Sequence, residues 1–217
     1  MGVRAELAAI YGTEELSKAI NLLAVLDEQG IAQTDVMAMS EGAINSSIAA
    51  MIAPERFRNM IFIGPAGMIG KDNVFKLLGR FMQGVAGEHA GAITGLLGGQ
   101  EGMKQWSTMW ETWKRFRLNA KRAFEECGAI AEADIVDTLK TLRAHGIGTC
   151  VVSGVDDVVF EQMKINENLG QNPEAVDGYL SVKGGHYGIA NDRKHAEAME
   201  NLLSKMEQLP TASEEIE

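Results

Sequence analysis

Hydrophobic positions along the chain change period several times, and each change marks an expected element. Residues 13–29 carry Leu16, Ile20, Leu23 and Leu26 at helical spacing, with Thr13 ahead of Glu14 and Glu15 as a capped start and Gly30 as the stop. Asp35-Val36-Met37-Ala38-Met39 is a short apolar run that ends at Ser40-Glu41-Gly42. Ala43 to Ile52 then returns to small and apolar residues at helical density, until Pro54 breaks the pattern. Strand, sharp turn and helix follow from that order.

Residues 57–63 predict the next strand, closed by Gly64-Pro65, and residues 134–145 a helix ending before Gly146. Gly148 to Ser153 forms a third strand, and Gly178 to Val182 a fourth that runs into Gly184-Gly185-His186. Arg193 to Met206 is the last helix, and the acidic tail after Pro210 is expected to fray. Strands alternating with helices predict an α/β fold, with a mostly parallel sheet of about four strands flanked by helices.

Residues 68–130 depart from this rhythm. A Gly- and Ala-rich stretch, Gly84 to Gly102, precedes a helix carrying Trp106, Trp110, Trp113 and Phe116 on one face. No strand pattern occurs, so the segment reads as a helical insertion over the end of the sheet. Trp106, Trp110 and Trp113 either dock that insertion or also touch a substrate. Docking is the simpler role, and both stay open.

Length and a hydrophobic content of 46% suit one domain with a sizeable core. A net charge of −10 argues against a nucleic-acid binder and against adhesion to an anionic membrane, and is in keeping with solubility. Cys127 and Cys150 have no metal-ligand spacing and are expected to be buried reduced thiols. The charged start, Met1 to Glu6, lacks the apolar stretch of a signal peptide, and no segment approaches a transmembrane span. A cytoplasmic protein is expected.

Three short stretches carry candidate chemistry. Ser40 lies in Ala38-Met39-Ser40-Glu41-Gly42, with small residues two before and two after, as an exposed nucleophile on a tight strand-to-helix turn requires. Serine beside glycine more often marks a plain turn. Asp157 follows the apolar strand in Ser153-Gly154-Val155-Asp156-Asp157, where functional loops gather in parallel sheets; a solvated Asp-Asp turn is the ordinary alternative. His186 alone among the four histidines follows a strand between glycines, in Gly184-Gly185-His186-Tyr187-Gly188. His89, His145 and His195 have the settings of surface residues.

The order Ser, acid, His, each after a strand, resembles the α/β-hydrolases and differs from chymotrypsin and subtilisin. Ala53-Pro54-Glu55-Arg56-Phe57 and Met60-Ile61-Phe62-Ile63-Gly64-Pro65-Ala66-Gly67 resemble the helix and strand after that family's nucleophile turn. The resemblance spans roughly residues 13–67 and 134–206. It implies a partial α/β-hydrolase fold, with residues 1–67 and 131–217 as core and 68–130 as a helical lid. It also implies a serine hydrolase acting on a small ester or similar acyl substrate, with Ser40 as nucleophile, His186 as base, Asp157 as its orienting acid and the Glu41 backbone N–H as an oxyanion donor. No metal or organic cofactor is implied.

The family's second oxyanion donor comes from a loop after an early strand, and only 39 residues precede Ser40. Strand 35–39 is therefore expected to be an edge with unpaired backbone groups. Either the chain is part of a longer product, or another chain covers that edge. The alternative function is a non-catalytic hydrolase remnant that self-associates or binds a partner there.

Overall fold

The computed structural model describes residues 2–95, 114 and 118–207. Trp106, Trp110, Trp113, Phe116 and the tail after residue 207 lie outside the described residues. The elements run α1 (Val3–Tyr11), α2 (Thr13–Glu28), β1 (Thr34–Met39), α3 (Gly42–Ile52), β2 (Phe57–Ile63) and α4 (Val74–Gly95). They continue as α5 (Ala120–Glu132), α6 (Val136–Ala144), β3 (Gly148–Gly154), α7 (Gln162–Gln171), β4 (Gly178–Val182), α8 (Gly188–Asn191) and α9 (Arg193–Met206).

The sheet order is β1-β2-β3-β4, every pairing parallel, with Met39 beside Ile63 and Ile63 beside Val152. Parallel strands must be joined by crossovers, which sets helices on the faces of the sheet. Side chains alternate between those faces. On β2, Met60 and Phe62 enter one core with Ala43, Ile44 and Ile48 of α3 and Leu139 of α6. Ile61 and Ile63 enter the other with Cys150, Val152 and Met199 and Met206 of α9. All four β2 residues are buried, each contributing roughly 1.5–3 kcal/mol. Among the described strands β1 is an edge, and its Met37 is 45% exposed.

Four elements depart from expectation. Thr13 is the first helical residue of α2 rather than its cap. Gly12, at φ 88°, holds the cap position, because one residue must turn the chain between α1 and α2. The short α1 itself escaped the pattern, since only Leu7 and Tyr11 are buried on it. Helix α7 buries only Ile165, so its sequence has no apolar stripe to read. Helix α4 runs through Gly79 and on to Gly95, although its glycines have poor helix propensity. At Gly84 an added Cβ would lie 3.2 Å from Val159 Cγ2, so a small residue suits the close approach.

Both cysteines are free and buried. Burial raises the Cys150 thiol to about 12, with Asp177 adding to the effect, so it stays protonated. Among the described residues no helix is long and apolar enough to cross a membrane.

Candidate active site

Ser40 has φ 57°, and it is the one non-glycine with positive φ among the described residues. That conformation costs about 1–2 kcal/mol for an L-residue, so its neighbours must hold it in place. They do so through the backbone. Ser40 N–H donates to the Ile63 carbonyl at 3.0 Å, and the Ala43 and Ala66 N–H groups both donate to the Ser40 carbonyl at 3.1 Å. The turn is thereby pinned to the end of β2 and to the start of α3. The small residues at 38 and 42 face each other, but a Cβ on Gly42 would stand 3.8 Å from Ala38 Cβ. That is ordinary contact, so the turn has room for a methyl at 42 as well as at 38.

Asp157 follows β3, and its carboxylate is fully partnered. Oδ1 accepts from the N–H groups of Val159 at 2.8 Å and Phe160 at 3.0 Å. Oδ2 lies 2.8 Å from His186 Nδ1. A carboxylate only accepts, so Nδ1 carries the proton and Nε2 of the neutral ring holds a lone pair. Nε2 is 3.1 Å from Ser40 Oγ. Ser40, His186 and Asp157 thus form one hydrogen-bonded chain. Asp156 is exposed, and its N–H donates to the Gly184 carbonyl at 3.1 Å instead.

Glycines make this packing feasible. A Cβ on Gly154 would collide with the Gly184 carbonyl and come within 2.8 Å of Ile189 Cδ1. The loops after β3 and β4 therefore touch, which brings Asp157 to His186. Gly64, at φ 49°, leaves no room for a side chain beside that pair: its Cβ would lie 3.1 Å from His186 Nδ1 and 3.2 Å from Asp157 Oδ2. The imidazole is 1% exposed, with the rings of Phe160, Tyr187 and Phe81 centred 5.2, 5.3 and 6.0 Å from its own. Sequence reasoning missed Gly64 and these rings. Gly64 read only as a strand stop, and neither Phe81 nor Phe160 stands in a pattern of its own. The other histidines with described side chains lie elsewhere, His145 at the end of α6 and His195 on α9.

Glu41 precedes α3, where the first N–H groups of a helix have no acceptor within it. Its side chain reaches Lys18 of α2, which also donates to Glu15 Oε1 at 3.0 Å. Glu15 is 1% exposed and its Oε2 has no hydrogen-bond partner. Burial pushes the Glu15 carboxyl up to about 7, opposed by its bond to Lys18 and reinforced by the nearby Glu41 charge. The sequence gives no sign of this network, because Glu15 and Lys18 sit on a helix whose apolar stripe reads well without them.

A parallel sheet with a strained serine after one strand and an acid and a histidine after later ones is a partial α/β-hydrolase fold. Solved structures agree with it. The chain is similar to a carboxylesterase from the ammonia-oxidizing thaumarchaeon Nitrososphaera gargenis at 18% identity and a TM-score of 0.59, over 89% of this chain and 73% of that one. It is similar to the enol-lactonase from Burkholderia xenovorans LB400 at 16% identity and 0.56, over 88% and 72%. A variant of the meta-cleavage product hydrolase from Pseudomonas fluorescens IP01 matches at 14% and 0.56, over 89% and 71%. No protein-family model and no curated protein matches the chain by sequence.

Proposed function

We propose that this chain is a serine hydrolase that cleaves a small ester or similar acyl substrate. The observation that carries the reading is the chain of hydrogen bonds from Ser40 Oγ through His186 to Asp157, beginning at a serine held in a strained turn. Ser40 Oγ attacks the acyl carbon as its proton passes to His186 Nε2. The carbonyl electrons move onto oxygen, where the Glu41 N–H donates to the developing charge. Collapse breaks the bond to the leaving alcohol, which takes the proton from Nε2 and leaves an acyl-Ser40. Water then adds by the same proton route, releasing the carboxylic acid and restoring Ser40. Asp157 holds the imidazole in the tautomer with its proton on Nδ1 and stabilises the imidazolium that forms.

The carboxylesterase and enol-lactonase neighbours favour an acyl substrate. Residues 68–130 act as a helical lid in this reading, and Phe81 of α4, half-buried against His186, would be its contact with the site. A fluorophosphonate probe and p-nitrophenyl acetate test the proposal. Labelling and turnover that vanish in Ser40→Ala are expected. A folded protein with neither sinks it.

One observation favours a second reading. The β1 edge is unpaired among the described residues and carries the exposed Met37, so a non-catalytic chain that self-associates there is the alternative.

A further inference from the structure

We infer that Lys18 is a positioning residue for the Glu41 backbone N–H, holding the peptide after Ser40 through its ion pair with the Glu41 side chain; this rests on the serine-hydrolase reading above. The peptide between Ser40 and Glu41 bears both the strain of the turn and the proposed oxyanion donor. Its carbonyl end is fixed by the Ala43 and Ala66 N–H groups, each at 3.1 Å. Its N–H has no acceptor within α3, although the Glu41 carbonyl beyond it accepts from the Ile44 and Asn45 N–H groups at 3.0 and 3.3 Å. The Glu41 side chain supplies a further tie, reaching across to α2.

Lys18 is well placed to anchor it. The Lys18 side chain is three-quarters buried and its ammonium donates to both Glu41 and Glu15, and Glu15 is among the buried residues of α2. Two further carboxylates stand at the limit of ion pairing, Glu14 at 4.0 Å and Glu126 at 3.9 Å. Arg122 pairs with both of those at 3.2 Å, so Lys18 chiefly serves Glu15 and Glu41. Burial pulls the Lys18 ammonium down, but its bonds to Glu41 and Glu15 outweigh that and hold it charged. Relaxing the tie lets the strained, planar peptide tilt slightly about its held carbonyl, which misdirects the N–H without moving Ser40 Oγ away from His186.

The test is steady-state hydrolysis of p-nitrophenyl acetate by the full chain, with thermal melting of every variant. Lys18→Met should lower kcat on the order of 10-fold, less than the 10²–10³ of losing a donor outright, with little change in KM. Lys18→Arg should recover most of it. The double variant Lys18→Met with Glu41→Met removes both charges and should be no slower than Glu41→Met alone. If Lys18→Met fails to fold, Lys18→Arg and the double variant decide the matter. Unchanged kcat in a folded Lys18→Met, or losses that multiply in the double variant, overturns the inference alone. Absence of Ser40-dependent turnover in the unaltered protein instead removes the hydrolase reading, and this inference with it.

Discussion

Gly64 packs against His186 so closely that a methyl group on it would stand 3.1 Å from the imidazole Nδ1. The same methyl would press on Asp157 Oδ2, and φ at Gly64 is positive, which an L-side chain resists. Gly64→Ala is therefore expected to cost about 1–3 kcal/mol in stability and to displace the His–Asp pair. Denaturant unfolding and ester turnover measure the two effects. An active, equally stable Gly64→Ala would contradict the packing.

Ser40 itself is strained, so replacing it by glycine should relieve the turn. Ser40→Gly is expected to raise stability by about 1 kcal/mol over Ser40→Ala, while both lose fluorophosphonate labelling. Chemical denaturation of the two variants side by side checks it.

Asp157→Asn keeps an oxygen to accept from the Val159 and Phe160 N–H groups but offers no negative charge to His186. By analogy with such triads its kcat should fall about 10⁴-fold with the fold intact. A loss below 10-fold would mean that Asp157 does not orient the base.

Glu15 makes stability depend on pH. Its folded pKa, about 7, exceeds its ordinary value of 4.5, so the folded chain holds a proton that the unfolded chain has released across that interval. Stability should thus be highest below pH 4.5 as far as this group is concerned, fall between 4.5 and 7, and level off above, by up to roughly 3 kcal/mol. Glu15→Gln, which has no proton to lose, should flatten that slope and be the more stable form at pH 8. Urea midpoints at pH 5, 6, 7 and 8 would read it, and parallel curves would count against a buried Glu15.

The β1 edge gives a separate expectation. If copies pair there, Met37→Lys should abolish any concentration dependence of sedimentation while leaving the melting of the monomer almost unchanged. Self-association that survives the substitution would place the interface elsewhere.

The sheet was legible because its strands are bounded by strong punctuation. Strand 57–63 lies between Pro54 and Gly64-Pro65, and Gly178 to Val182 between Asp177 and Gly184, and both runs appear with those bounds. Ser40, Asp157 and His186 stand out in the sequence as candidates because each follows such a run. The support around them does not. Phe160, Phe81 and Gly64 reach His186 from three different elements, and Lys18 reaches Glu41 across two helices. Contacts of that kind depend on how loops and helices are laid against one another, which no local period encodes. Helix α4 makes the same point, since its glycines speak against a helix until Leu77 is buried in the core.

Ser40 and His186 are 146 positions apart along the chain and 3.1 Å apart in space, while Asp157 reaches His186 across 29 positions. Their meeting needs three parallel pairings and the crossovers between them, all long-range closures of the slow kind. Assembly of the three side chains is accordingly expected to be a late event in folding. During refolding, helix signal should return first and reactivity of Ser40 last, so the serine reports on completion of the whole sheet.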